Sequence, residues 1–228
     1  MKIRRLQLLA GAAQAQGITV IFDVLRASSN ILTLLDRGVR SVLPVSTLEE
    51  ARQRKRDDPE IVLAGERDGL PPADFDLGNS PYENEHADID DRNIVLTTSA
   101  GSKGLVAAAT GADEVLVGAF LNIGAVATYV LARTPEIVSL VALGTGGEVA
   151  SPEDDLAAEY LELLLRGQKP DFEAMRRTIE AHPQGQKFLD PENKNYRPED
   201  LDFCLRVNVF DTVPRLTRQN GDLVITQA

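Results

Sequence analysis

The segment GITVIFDVLRASSNILTLLDRG, residues 17–38, joins an apolar run to a helical pattern. Its first part, GITVIFDVL (17–25), is nearly continuously apolar and rich in Val and Ile, which is typical of a strand buried on both faces of a sheet. Its second part, SSNILTLLDRG (28–38), has serines where a helix cap belongs and a glycine at its end. The segment therefore predicts a buried strand followed directly by a helix.

The same alternation continues to residue 144. The N-terminal MKIRRLQ favours a first strand, not a signal peptide, because no proper apolar core follows the basic residues. Further strand-like runs lie at 41–45, 60–65, 93–99, 113–120 and 136–144, and helical patterns separate them. Strand–helix alternation predicts an α/β fold of three layers, α/β/α, with a mainly parallel or mixed sheet.

The last third has a different character. Residues 151–167 predict a helix with Ser151 as N-cap and Asp154 at the capping-box position, and residues 171–182 predict another helix. Residues 182–200 are polar and contain several prolines, which indicates a surface excursion. Residues 212–228 predict a C-terminal β-hairpin that turns at Asn220-Gly221. We expect residues 1–228 to form one α/β unit, with a division into two lobes near residues 84–92 as the alternative.

Composition narrows the function classes. The chain of 228 residues carries 35 acidic and 24 basic side chains, a net charge of -11, which argues against nucleic acid as a partner. No apolar run approaches the ~20 residues of a membrane span, so no membrane partner is expected. Cys204 is the single cysteine, which excludes an intrachain disulfide and is consistent with a reducing cytoplasm. Its apolar surroundings favour a core position for it.

Polar side chains cluster after the predicted strands, where ligands collect in α/β sheets. Hydroxyls, glycines and helix N-termini are suited to bind an anion, arginines can clamp a phosphate or carboxylate, and carboxylates supply hard oxygen ligands. Together they indicate a divalent metal bridging to a phosphoryl group. The candidates are Asp23, Arg26, Ser28, Glu66, Arg67, Thr98, Ser99, Gly101, Ser102, Asn122, the Gly144–Gly147 turn and Asp154.

Each of these features alone also has a purely structural explanation. Asp23 and Arg26 could form an ion pair at a helix start, and Glu153 and Asp154 could simply complement a helix dipole. The long connection AGERDGLPPADFDLGNSPYE (64–83) could be a rigid series of surface turns. Their recurrence at successive strand ends favours the functional interpretation, in which Asp76 and Asn79 return from this loop towards the site.

Five motifs, in this order, resemble the 2-phosphosulfolactate phosphatases, the ComB family. They are FDVLRASSNI, AGERDGLPPADFDLGNSP, IVLTTSAGSKG, GAFLNIGAVA and LGTGGEVASPEDDLAAEYL, and they span most of residues 20–165. One departure is Ala100, which stands where the family loop usually has Asn. Loss of that amide bears on substrate identity more than on catalysis.

The resemblance implies magnesium-dependent hydrolysis of a small anionic phosphate ester on a three-carbon sulfonated acid, on the route to coenzyme M in methanogens. It implicates Asp23, Glu66 and Asp154 as Mg²⁺ ligands, with Asp76 in reserve, and Arg26 and Arg67 as holders of phosphoryl or sulfonate oxygens. Ser28, Asn79, Thr98, Ser99, Gly101, Ser102 and Asn122 would bind the substrate. Either a water held by a carboxylate or Asp23 itself would attack phosphorus. A cytoplasmic homodimer is expected on frequency grounds.

Two other function classes stay open from the residues alone. One is an enzyme that uses S-adenosylmethionine or a nucleotide at the Gly144–Gly147 turn, LGTGG being a weak glycine signal. The other is a non-catalytic protein that keeps the anion pocket.

Overall fold

The computed structural model describes residues 1–228 and contains nine strands in one mixed sheet. The predicted α/β class and the C-terminal hairpin are both confirmed. The strands are β1 (Lys2–Gln7), β2 (Ile18–Phe22), β3 (Ser41–Pro44), β4 (Val62–Gly65), β5 (Asn93–Thr97), β6 (Glu114–Gly118), β7 (Ile137–Ala142), β8 (Pro214–Gln219) and β9 (Asp222–Gln227).

Helices connect and cover these strands. They are α1 (Leu8–Ala12), α2 (Ala27–Asp36), α3 (Leu48–Asp57), α4 (Pro81–Asn84), α5 (Gly101–Ala108), α6 (Ile123–Arg133), α7 (Pro152–Leu165), α8 (Phe172–Ala181), α9 (Pro183–Leu189) and α10 (Pro198–Cys204). A short 3₁₀-helix, Phe120–Asn122, precedes α6. None of the helices combines the length and the apolar character that a membrane crossing would require.

The sheet order is β1-β7-β2-β6-β8-β9-β3-β5-β4. The first four strands are parallel to one another, and so are the last three. The hairpin β8–β9 lies between these groups and pairs antiparallel on both sides. Three successive antiparallel pairings give the two groups opposite directions. The hairpin is therefore the centre of the sheet, although it is last in the chain.

One row of paired apolar residues runs across the hairpin, from one group of parallel strands to the other. Val115 of β6 pairs with Leu216 of β8, Leu216 pairs with Ile225 of β9, and Ile225 pairs with Val42 of β3. All four side chains are buried and belong to one core cluster. Paired apolar side chains on one face are the main source of sheet stability, so this row holds the two groups together.

Two helices contact both strand groups. Helix α2 packs against β3 and β6, and α5 packs against β2, β3 and β5. Residues 27–34 of α2 are all buried, as expected for a helix with sheet on more than one side. The outer faces are covered by α3 on one group and by α6 and α7 on the other.

The segment 182–200, predicted as a surface excursion, is different in the structure. It contains α9 and the start of α10, and Phe188 is 1% exposed in the main core cluster. Tyr196 packs against the Phe188 ring at a centroid distance of 4.9 Å. The prediction failed because few apolar residues anchor this segment among many polar ones. Cys204 is fully buried, which confirms its core position.

The row of apolar residues across the hairpin allows a test of the hairpin's contribution to stability. We expect Ile225→Ala to destabilise the protein by about 2–5 kcal/mol, because it removes a buried side chain and leaves a cavity at the junction. The measurement is the free energy of unfolding in urea. The matched control is Val209→Ala, whose side chain is 47% exposed and should change stability by less than about 0.5 kcal/mol. Equal effects of the two substitutions would contradict a structural role for the row.

Candidate active site

A polar cavity of about 180 Å³ opens where the turns after β2, β4, β5 and β7 meet. These turns and the start of α7 bring together six of the predicted side chains, along with Gly144 and Gly146 of the predicted glycine turn. The six side chains are those of Asp23, Arg26, Glu66, Asn79, Ser99 and Asp154. The two strand groups run in opposite directions, yet turns at the carboxyl ends of strands from both groups line the cavity. The rest of the lining comes from the start of α7, from α9 and from Tyr196.

Asp23 lies at the corner between β2 and α2. Its Oδ1 accepts a hydrogen bond from the Ala27 N–H at 3.2 Å, at the start of α2. Its Oδ2 faces the beginning of α5, where a Cβ on Gly101 would come within 2.8 Å of that oxygen. Glycine at position 101 therefore allows a helix N-terminus to approach the Asp23 carboxylate closely.

Glu66 follows β4 and is fixed by the neighbouring turns. Its Oε1 accepts from the Ser99 N–H at 2.8 Å, and its Oε2 accepts from the Gly69 N–H at 3.0 Å. The preceding Gly65 has φ 146°, and a Cβ there would come within 2.0 Å of the Thr97 carbonyl oxygen. Only glycine allows β4 and β5 to approach so closely, and this brings Glu66 to Ser99.

Two acidic residues at the start of α7, Asp154 and Glu153, add their carboxyl groups to those of Asp23 and Glu66 at the cavity. Asp154 accepts hydrogen bonds from the Val24 N–H at 2.7 Å and from the Gly144 N–H at 2.8 Å. It therefore joins the turns after β2 and β7 and forms no capping box with Ser151, whose side chain makes no cap hydrogen bond. Glu153 also lines the cavity, and its buried Oε2 has no hydrogen-bond partner.

Burial makes these carboxyl groups harder to ionise. It raises the pKa of Asp23 to about 7, and the nearby charges of Glu66 and Glu153 add to the increase. Burial also raises the pKa of Glu153, and it raises the pKa of Asp154 well above its usual range, together with repulsion from Glu153 and Asp23. Buried carboxylates that raise each other's pKa form a site that a cation would stabilise.

Arg26 is buried and already paired. Its Nη1 donates to Asp200 Oδ2 at 2.8 Å, and its Nη2 donates to the Gly69 carbonyl oxygen at 2.8 Å. The guanidinium carbon lies 5.1 Å from the centroid of the Tyr196 ring and 5.9 Å from that of Phe188. Arg26 thus lines the cavity while its two terminal nitrogens hold the surrounding walls.

Several predicted residues lie outside the cavity lining. Arg67 donates to Thr97 Oγ1 and to the backbone oxygens of Glu66 and Thr97, so it braces the end of β5. Asp76 points to the outer face, where it accepts from the Leu63 N–H and pairs with Lys55. Neither side chain lines the cavity, and their roles as clamp and reserve ligand stay predictions.

The remaining hydroxyl and amide predictions have local structural partners. Ser28 accepts from the Asp23 N–H at 3.0 Å, and Thr98 and Ser102 bond each other's N–H groups at the start of α5. Asn122 donates to the carbonyl oxygens of Val117 and Thr212, which ties β6 to the segment before the hairpin. These four side chains shape the turns around the cavity. Ala100, the residue that departs from the family loop, does line it.

Reasoning from the sequence missed part of the lining. The sequence pattern at Glu153 indicates a helix-start acid, and Gln184, Lys187 and Tyr196 lie in the segment 182–200, which the sequence predicts as a surface excursion. Gln184 reaches across to Thr145 Oγ1 in the Gly144–Gly147 turn, which lines the same cavity. The only sequence signal for this wall is the apolar pair Phe188 and Tyr196 within a polar stretch.

No group of three or more His, Cys, Asp or Glu side chains is arranged to hold a metal by itself. Within the predicted set, Glu66 and Asp154 use both carboxylate oxygens for hydrogen bonds, and Asp23 keeps Oδ2 without one. The unpartnered, buried Oε2 of Glu153 is the second available oxygen. Mg²⁺ is usually held by one or two carboxylates with waters and substrate oxygens, so Asp23 and Glu153 fit it.

Comparison with known proteins identifies the family. Residues 5–219 match the model of a family described as 2-phosphosulpholactate phosphatase. A protein of Thermotoga maritima is 33% identical over 222 residues, covering 91% of this chain and 92% of the relative. One of Caldanaerobacter subterraneus subsp. tengcongensis is 35% identical over 217 residues, covering 89% and 88%. Both are named as probable 2-phosphosulfolactate phosphatases. The resemblance of the motifs is confirmed, and the chain belongs to the 2-phosphosulfolactate phosphatase family.

Proposed function

We propose that this chain hydrolyses a small acidic phosphate monoester of the 2-phosphosulfolactate type, giving sulfolactate and inorganic phosphate, with Mg²⁺ as cofactor. Membership of the family makes it a phosphoric monoester hydrolase. The observation that carries the proposal is the convergence of Asp23, Glu153 and Asp154, all buried, on one polar cavity beside the N-terminus of α5. Buried carboxyls with raised pKa values mark sites of acid–base or metal chemistry.

Asp23 is the carboxyl group that we assign to the reacting phosphoryl group. Its Oδ2 is free of internal hydrogen bonds, so this oxygen is available to the substrate side of the cavity. It acts either as the base that takes a proton from the attacking water or as the nucleophile. In both cases the bond between phosphorus and the ester oxygen breaks, and that oxygen takes up a proton, from Asp23 in the first case and from water in the second. In the second case a water then hydrolyses the aspartyl-phosphate, which releases inorganic phosphate and restores the carboxylate.

The chain's own groups would hold the anion in place. The N-terminus of α5, which begins at Gly101, offers backbone N–H groups and the positive end of the helix dipole next to Asp23. Glu66 keeps Ser99 fixed at this end of the cavity through two contacts. Mg²⁺ held by Asp23 and Glu153 would supply positive charge to the phosphoryl oxygens.

The first test is catalytic. We expect purified protein to release phosphate from 2-phosphosulfolactate in the presence of MgCl₂, and we expect Asp23→Asn to lower kcat/KM by about 10²–10⁴-fold, because the amide can neither accept the proton nor attack. The measurement is a phosphate-release assay. No release from 2-phosphosulfolactate or from other phosphorylated three-carbon acids would refute the phosphatase proposal.

The control for this test is Asp76→Asn. Asp76 has the same chemistry and lies on the outer face, bonded to the Leu63 N–H. Its substitution should leave kcat/KM within about twofold of the wild type. An Asp23→Asn variant as active as Asp76→Asn would show that the reacting carboxylate is another residue.

The second test concerns the metal and does not depend on activity. We expect MgCl₂ at about 100 times its Kd to raise the melting temperature above that in EDTA by about 5–10 °C, because a ligand that binds only the folded state stabilises it. Glu153→Gln should abolish most of this shift. Glu159→Gln, on the exposed side of the same helix, should keep it. An equal shift in both variants would contradict the assignment of Glu153.

A further inference from the structure

Lys187 is a half-buried cation in the cavity wall. It is part of α9, and its Nζ lies 4.9 Å from the centroid of the Tyr196 ring. No carboxylate lies within ion-pairing distance of its ammonium group, and that group donates no hydrogen bond within the chain. Burial disfavours the charged form of this amine, and the charges of Glu153 and Glu66 favour it only from beyond ion-pairing distance. The ammonium group therefore remains open to a direct partner from outside the chain.

Lys187 is also the only cation of the lining that is not already paired. The other one, Arg26, donates to Asp200 and to the Gly69 carbonyl oxygen, and Asp200 is fully buried. Five carboxyl groups line the same cavity: those of Asp23, Glu66, Asp68, Glu153 and Asp154. A substrate with more than one anionic group therefore meets a mostly acidic surface with a single uncommitted positive charge.

The wall that carries Lys187 is fixed on three sides. Phe188, the next residue, is 1% exposed and anchors α9 in the core. Gln184 bonds Thr145 Oγ1 in the turn after β7, and Asn195 donates to the Asp68 carbonyl oxygen at 3.0 Å. The Tyr196 hydroxyl end lies against Gly69, where a Cβ would come within 2.9 Å of it. The backbone that carries Lys187 is therefore anchored to the core, to the turn after β7 and to the loop after β4.

The two sides of the cavity carry opposite charges and therefore suit different groups of a substrate. Asp23 and Glu153 repel an anion, so a phosphoryl group held there requires the positive charge of a metal. A second acid group on the same substrate needs its own positive partner, and Lys187 is the residue that remains. The Tyr196 ring beneath the ammonium group limits its hydration and so strengthens an ionic contact.

We propose that Lys187, stacked on Tyr196, determines substrate specificity by binding the acid group that is not transferred, a carboxylate or sulfonate on the carbon chain of the phosphate ester. This inference rests on the proposed phosphatase function. Lys187 thereby selects phosphate esters of small acids over esters of uncharged alcohols.

The kinetic test compares three substrates: 2-phosphosulfolactate, with carboxylate and sulfonate; 2-phospholactate, with carboxylate alone; and p-nitrophenyl phosphate, with neither. We expect Lys187→Met to lower kcat/KM for 2-phosphosulfolactate by about 10- to 100-fold, mostly through KM, because a charged contact is lost. The loss for p-nitrophenyl phosphate should be at least about tenfold smaller. Lys187→Arg should restore part of the activity towards the acid-bearing substrate.

The pattern across substrates tells which group is bound. An equal loss with 2-phospholactate assigns the carboxylate, and a loss confined to 2-phosphosulfolactate assigns the sulfonate. An equal loss with all three would overturn the inference, since Lys187 would then act on the phosphoryl group. Lys194→Met, an exposed lysine of the same segment, is the matched control and should change none of the rates.

A binding measurement separates failure of this inference from failure of the proposed function. Sulfolactate carries both acid groups and no phosphoryl group, and its Kd can be measured by calorimetry in the wild type and in Lys187→Met. Weaker binding by the variant, at about 10-fold or more, supports the inference even if no phosphate is released. Equal Kd values, or no binding to either protein, would overturn it whatever the phosphatase assay gives.

Discussion

The buried ion pair between Arg26 and Asp200 holds the walls of the cavity together. The two side chains are 5% and 0% exposed, and Nη1 lies 2.8 Å from Oδ2. Asp200 also accepts from Ser80 Oγ and from the Tyr82 N–H, so every charge in the pair has hydrogen-bond partners. Loss of one member of such a pair costs about 3–5 kcal/mol, because it leaves an isolated charge in the interior.

This pair joins three parts of the chain that are distant in sequence. Arg26 belongs to the corner after β2, its Nη2 reaches the loop after β4 at Gly69, and Asp200 belongs to α10. The aromatic rings of α9 and the following segment pack on the same guanidinium group. Carboxylates from the β2 side and the lysine of α9 therefore line the same cavity, an arrangement suited to a small, multiply charged substrate.

Much of the fold could be predicted from local patterns. The apolar runs gave the strands up to residue 144 because strands buried on both faces carry nearly continuous Val and Ile. Asn220-Gly221 indicated the hairpin turn, yet nothing local could show that β8 and β9 lie in the middle of the sheet, since neighbours are set by long-range burial. The position of Glu153 at the start of α7 could not be predicted either. An acidic residue in the first turn of a helix has the same sequence pattern whether it faces solvent or a cavity, and the packing of α7 determines which it faces. The segment 183–197, which forms one wall of the cavity, could not be predicted because its composition is mostly polar and its position depends on long-range packing.

The position of the hairpin has a consequence for how the protein is made. On a ribosome, β8 and β9 emerge after all the other strands, so until then β6 and β3 each present an unpaired edge along which another chain could add. The contacts that close the sheet join residues about a hundred or more positions apart, which makes closure slow relative to local folding. Until the hairpin is in place, the two groups of parallel strands are therefore exposed to edge-to-edge association with other chains.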